Sequence, residues 1–424
     1  MAGTFHVINL GCKVNRVEAD SMAASLLACG AERSALPNAR LILINTCTVT
    51  GEADAKSRKA VRRALREAPG AAVIVCGCGA TVDPEQFEGL SKDCLVIPNK
   101  ATALQKAGEL LGVELSELCQ PGATLRAGEG FNTRAQIKIQ DGCDNSCSYC
   151  IVPRARGAAQ SVDGSQVLQE IQTLVEAGVR EIVLTGIDLG SYRGSSIQTL
   201  AVLLKQALEL ASDFRIRLSS IEMPSISDDL LQLITASRGR ICAHLHIPLQ
   251  SGSDTVLGAM RRRYSRADFS NRMAQIKAKV PQIALSTDVI VGFPGETEED
   301  FNDTLTLCSE VGFSRIHAFR YSKRPGTPAA TMPRQVPAAT VARRAAKLRE
   351  VADELTRLDA LARLGTTEMV LAESAQRGRS ESYYPVQLEK GTRRGSLVAM
   401  KLVGYEQHQL IAQECEEISW KKRR

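Results

Sequence analysis

Apolar residues along this chain come first as short continuous runs, then as a regular alternation of strand and helix patterns, and finally as short strands alone. Three early runs predict buried strands: Phe5-His6-Val7-Ile8-Asn9-Leu10, Leu41-Ile42-Leu43-Ile44 and Ala72-Val73-Ile74-Val75-Cys76. Each leads into a cysteine with turn residues and then into a helix-like stretch, at Gly11-Cys12, Asn45-Thr46-Cys47 and Gly77-Cys78. Parallel strands align such ends, and open α/β sheets bind ligands beyond the carboxyl ends of their strands. Singly, each cysteine reads as a small buried hydrophobe; together, at matching positions, they predict three thiols meeting at one sheet edge and a metal cluster there. Cys76 competes for the third place, and Cys78 is preferred because it lies beyond the strand, after Gly77.

From Gln136 a βα alternation begins, with strands predicted near 136–140, 181–185, 215–219, 244–249, 285–291 and 315–321. Val167-Leu168, Ile171 and Leu174-Val175 keep helical spacing, as do Leu200, Leu203-Leu204 and Leu208. Six parallel units predict a partial (βα)6 barrel, whose gap leaves room for a large substrate or a neighbouring domain. Ala339 to Leu364 is a long helix with Val341, Leu348, Val351, Leu355, Leu358 and Leu361 as its expected apolar stripe, stopped by Gly365. Beyond it, Met369-Val370-Leu371, Tyr384 to Leu388, Leu397 to Leu402 and Gln409-Leu410-Ile411 read as strands of a small all-β, OB-like module. The expected division is an N-terminal open parallel α/β sheet domain (1–118), a partial barrel with its trailing helix (130–364) and a β-barrel (365–424).

A chain of 424 residues with 44% hydrophobic content fills two to three cores. It shows no apolar run of about eighteen residues and no charged leader with an apolar core, so no membrane partner is expected and the protein is placed in the cytoplasm. Thirteen cysteines in a cytosolic chain then argue for metal ligation or redox chemistry over a disulfide framework, with Cys29, Cys242, Cys308 and Cys415 expected to be merely buried. A net charge of +6 suits a nucleic-acid partner, and the basic runs Lys56 to Arg63, Arg261-Arg262-Arg263 and Lys421 to Arg424 offer phosphate contacts. Aromatic residues make up only 4%, leaving Tyr264 as a candidate platform for a base.

The densest chemistry is Cys143-Asp144-Asn145-Ser146-Cys147-Ser148-Tyr149-Cys150, in the first loop of the βα alternation, at the face where barrel enzymes build active sites. Three thiolates spaced C-x3-C-x2-C without a nearby histidine supply three soft ligands and leave a fourth position open, as an iron-sulfur cluster with one exchangeable iron requires. Closed zinc sites pair C-x2-C with a second Cys or His pair.

This spacing, with an aromatic before its last cysteine, resembles the radical S-adenosylmethionine enzymes. Within that superfamily the whole chain resembles the methylthiotransferases, whose last module is called TRAM. The resemblance rests on Gly11-Cys12-Lys13-Val14-Asn15, Asn45-Thr46-Cys47-Thr48-Val49-Thr50, Gln140 through Pro153, Leu184-Thr185-Gly186, Pro248 through Ser253 and Gly292 through Thr297. Cys12-Lys13-Val14-Asn15 and Gln140-Asp141-Gly142-Cys143 look most like the subgroup that modifies N6-threonylcarbamoyladenosine beside the tRNA anticodon. Arg154 and Ser161-Val162 depart from the usual residues.

The resemblance implies that Cys143, Cys147 and Cys150 hold a 4Fe-4S cluster whose open iron binds S-adenosylmethionine. One electron then splits the sulfonium, and the resulting radical abstracts hydrogen from C2 of the adenine. It implies that Cys12, Cys47 and Cys78 hold a second 4Fe-4S cluster that delivers methylated sulfur. Around S-adenosylmethionine it places Tyr149, Thr185, Gly186 and Glu222, and no side chain is expected to serve as a catalytic acid or base. The partners implied are the tRNA anticodon stem-loop and an electron donor such as flavodoxin or ferredoxin. Two alternatives are a methylthiotransferase acting on a ribosomal protein side chain and a non-enzymatic zinc-binding RNA protein.

Overall fold

The computed structural model describes residues 3–115, 133–388 and 391–414. Five parallel strands form the first sheet: β1 (Thr4–Asn9), β2 (Glu32–Arg33), β3 (Leu41–Thr46), β4 (Ala72–Gly77) and β5 (Cys94–Val96), in the order β2-β1-β3-β4-β5. The three apolar runs are its central strands. β2 and β5 were not foreseen, because two and three residues are too few to show a pattern. Register aligns the carboxyl ends, with Asn9 beside Asn45 and Asn45 beside Cys76. Helices begin immediately beyond: Lys13–Ala28 directly after Cys12, Gly51–Glu67 with the Thr50 side chain accepting from the Ala53 amide, and Cys78–Val82. Apolar cores on both faces of the sheet hold these junctions.

The second unit contains β6 (Arg134–Lys138), the antiparallel clip β7 (Gln140–Asp141) and β8 (Gln160–Ser161), then β9 (Glu181–Thr185), β10 (Arg215–Leu218), β11 (His244–His246), β12 (Ala284–Val291) and β13 (Arg315–Arg320). Parallel sheets β10-β9-β6 and β11-β12-β13 are joined by bridges at Ile216 with Ile241 and at Ser220 with His246, giving the six-stranded partial barrel. Ile182, Leu184, Ile216, Leu218, Leu245 and Ile247 pack against the surrounding helices. The alternate positions Glu181, Arg215, Arg217 and His244 are polar and buried, which the two-residue period of a strand assigns to the inner face.

The third unit is a closed barrel of β14 (Thr367–Ala372), β15 (Arg377–Ser380), β16 (Pro385–Gln387), β17 (Leu397–Glu406) and β18 (Gln409–Glu414), in the order β14-β15-β16-β18-β17. β15 escaped notice because Arg-Gly-Arg-Ser has no apolar residue. The small barrel docks on the partial barrel through buried charge. Glu181 accepts from Arg215 Nε at 2.6 Å and Arg217 Nε at 3.0 Å, and the two guanidinia spend their other donors on the carbonyls of Met369, Arg379, Ser380 and Glu381. A desolvated carboxylate is tolerable here because two cations and four carbonyls complete the network.

The connecting helix, Ala338–Ala362, corrects the expected stripe. Leu358 and Leu361 are 48% and 40% exposed, while Arg344, Ala345, Leu348, Ala352 and Ala360 are buried. Small alanines let the helix lie close, and Arg344 is drawn in by Glu296 at 2.6 Å, so side-chain size misled the reading of the buried face. Cys242 and Cys308 are buried as expected, whereas Cys29 is only partly buried and is disulfide-bonded, against the expectation of a merely buried thiol. Cys415, Lys421 to Arg424 and the expected break between 118 and 130 lie outside the described residues.

Candidate active site

Cys143, Cys147 and Cys150 line a cavity of about 260 Å³ at the carboxyl ends of the barrel strands, together with Tyr149, Glu222 and Arg262. Each sulfur has a polar neighbour at 3.4 Å: the amides of Asn145 and Val152 donate to Cys143 and Cys150, and Arg262 Nη1 donates to Cys147. Donors aimed at sulfur stabilise thiolate character and tune a cluster. Burial pushes the Cys150 thiol up to about 12 and raises Cys143 as well, so a metal bound here would displace protons and supply the missing positive charge. Among the described residues no fourth thiol and no imidazole lines this cavity, so the donor set fits a cluster with an open iron better than closed zinc.

The second cysteine set converges at the sheet edge. Asn15 Oδ1 lies 3.7 Å from Cys12 Sγ and 3.8 Å from Cys78 Sγ, so two thiols share one carbonyl oxygen. Gly11, at φ 110°, passes so close to Cys47 that a Cβ would stand 2.9 Å from its sulfur, which requires glycine there. Cys47 is pushed up to about 11, first by burial and also by the neighbouring thiols of Cys12 and Cys78. Cys76 instead sits in the apolar core, 0% exposed. Three clustered thiols without a histidine suit soft iron in the same way.

Asn15 is held by the carbonyls of Leu10 and Thr46, each 2.9 Å away, and its Oδ1 also accepts a short contact from Arg156, on the helix that follows Cys150. Arg156 in turn pairs with Glu18 at 3.1 Å and Asp141 at 2.8 Å. Burial works to raise the Glu18 carboxyl, but Lys100, Arg156 and Lys138 hold it well below the usual carboxylate range. One buried network thus ties the second cysteine set to the loop carrying the first. Asn15 stood inside a quoted motif; Arg156 carried no sequence signal.

A wider cavity of about 740 Å³, lined by Cys47, opens beside the first, and Thr50, Phe319, Arg320, Tyr321 and Ser322 line both. Its wall is clamped by Arg324, which meets Thr48 Oγ1 and Asp54 at 2.6 Å, and by Ser322 accepting from the Gly51 amide at 2.8 Å.

Of the residues expected around S-adenosylmethionine, Tyr149 and Glu222 line the first cavity. Tyr149 meets the Phe293 ring edge-on at 6.5 Å, and Glu222 is bonded to Arg262. Thr185 and Gly186 stand behind the wall: Gln140 Oε1 accepts the amides of Ile187 and Asp188 at 2.9 Å, and it is those two residues that reach the cavity. Burial raises the carboxyls of both Glu222 and Asp188. Tyr264 is no platform, since it is 8% exposed, its hydroxyl donates to the Pro248 and Leu249 carbonyls and its ring tilts against Phe269. Gly292 is a packing turn, at φ 78°, where a Cβ would stand 2.4 Å from Val341 of the connecting helix.

Residues 137–308 match the Radical SAM superfamily, and residues 4–97 match Uncharacterized protein family UPF0004. A threonylcarbamoyladenosine tRNA methylthiotransferase MtaB of Chlamydia pneumoniae is 39% identical, over 88% of this chain and 87% of its own length. A tRNA-2-methylthio-N(6)-dimethylallyladenosine synthase of Desulfitobacterium hafniense is 37% identical, over 77% and 76%. In fold, the chain is similar to the radical S-adenosylmethionine methyltransferase TsrM from Kitasatospora setae, with a TM-score of 0.58 at 14% identity, covering 78% of this chain and 77% of that one. The chain therefore belongs to the radical S-adenosylmethionine tRNA methylthiotransferases.

Proposed function

We propose that this enzyme converts N6-threonylcarbamoyladenosine, next to the anticodon of tRNA, to its 2-methylthio derivative, using two 4Fe-4S clusters and S-adenosylmethionine. The observation that carries this reading is that Cys143, Cys147 and Cys150 line one cavity, Cys47 of the second set lines another, and the two cavities share five residues. In this reading Cys143, Cys147 and Cys150 hold one cluster, and Cys12, Cys47 and Cys78 hold the other. Bound there, these groups supply reductive cleavage of the sulfonium at one set and a methylated sulfur at the other. Arg262 steadies Cys147 and Glu222 together, Tyr149 and Glu222 face the cofactor, and Gln140 holds the loop after Thr185 and Gly186 that presents Ile187 and Asp188. An aromatic C–H lies beyond the basicity of any side chain, so these residues position groups and do not deprotonate the substrate. The electron donor is of the flavodoxin or ferredoxin kind, and the reaction runs in the cytoplasm on the anticodon stem-loop. The division 1–118, 130–364 and 365–424 assigns one cluster to each α/β unit and leaves the β-barrel for RNA.

Nucleoside mass spectrometry of tRNA from cells lacking the protein is expected to show loss of 2-methylthio-N6-threonylcarbamoyladenosine and accumulation of its precursor; an unchanged profile would overturn the substrate. With purified protein, Cys12→Ala should still cleave S-adenosylmethionine yet transfer no methylthio group, whereas Cys147→Ala should do neither. Methylthiolation by the Cys12 variant would remove the second set from the reaction.

A further inference from the structure

Phe319 lies on β13, the edge strand of the partial barrel, beside Ile290 in the register, and both residues line the first cavity. It is 39% exposed, one of few large apolar side chains in the described residues left open to solvent, and it lines both cavities. On one side of it lie Cys143, Cys147 and Cys150, and on the other lies Cys47. The wider cavity also carries Lys56, Arg320 and Arg349, all exposed and without an ion pair among the described residues, and a single acid, Glu52.

We infer that Phe319 is the stacking platform for the target adenine and that Lys56, Arg320 and Arg349 carry the phosphates of the loop that delivers it. The inference rests on the tRNA reading above and names where the base goes. A purine whose C2 must face both sulfur sets has to leave its own stack, and it then needs an apolar face to replace the neighbours it lost. Aromatic rings serve any base in this way, because every base has a π-face. Phe319 stands where the two cavities meet, so a base lying on it is exposed to both. The unpaired cations beside it sit where the strand must turn into the cavity, and binding there releases counterions.

The test uses the cluster-loaded enzyme and two anticodon stem-loop RNAs, one bearing the target adenosine and one abasic at that position. The wild type should bind the adenosine-bearing RNA about tenfold more tightly, the size expected of one base–aromatic stack. Phe319→Ala, and Phe319→Leu, which keeps apolar bulk without a π-face, should bind both RNAs alike. Phe319→Tyr should restore the preference. A preference retained in Phe319→Leu, or absent from the wild type, would overturn the platform while leaving the methylthiotransferase reading intact. A wild type that binds neither stem-loop better than an unrelated hairpin would overturn both. Lys56→Ala and Arg349→Ala should weaken both RNAs equally and flatten the log–log salt dependence by about 0.7 each; unchanged slopes would take those cations off the path.

Discussion

Cys76 and Cys78 are two residues apart on either side of Gly77, yet Cys76 is fully buried in the apolar core while Cys78 faces Asn15 beside Cys12. The different surroundings imply different consequences. Cys76→Ala should keep full iron and sulfide content and cost about 1 kcal/mol in denaturant unfolding, whereas Cys78→Ala should lose iron from one cluster. A second residue reports on pH. Burial alone pushes the Glu170 carboxyl up to about 7. The folded protein then holds that proton more tightly than the unfolded chain does. This contribution to stability is fully present below the ordinary carboxylate range and is lost as pH rises through about 7. Glu170→Gln should therefore lose less thermal stability than the wild type between about pH 5 and about pH 8.5, as read by the melting midpoint at each pH.

At the scale of elements, the long apolar runs and the six βα units were legible because each buries a continuous apolar face. β2, β5 and β15 were not: two are too short for a pattern, and the third, Arg377–Ser380, gains its place from partner strands on either side. The connecting helix shows the same limit. Its buried face contains Arg344 and several alanines, chosen by what lies opposite and not by their own hydrophobicity. Leu348→Ala should cost about 2–5 kcal/mol in denaturant unfolding, since it empties a packed site. Leu358→Ala, at a position 48% exposed, should stay within about 0.5 kcal/mol.

Across the whole molecule, Arg156 links Glu18 and Asn15 of the first unit with Asp141 of the second, and its side chain is only 4% exposed. Removing one partner of a buried charge network leaves the others desolvated, at a cost of about 3–5 kcal/mol. Arg156→Ala should therefore lower the melting midpoint and speed hydrogen exchange selectively at the contact of helix Lys13–Ala28 with β6, before either sheet opens; uniform exchange would argue against a linking role. By itself the sequence determined the candidate ligands, the three architectures and the class of chemistry, because cysteine spacing and apolar periodicity are local properties. Only the tertiary structure decided that two cavities adjoin, that Arg262 and Phe319 stand at them and Tyr264 does not, and that Arg156 joins Asn15 and Glu18 to Asp141. Those residues acquire their surroundings from segments far away in the chain, and burial, pairing and exposure are properties of that packing.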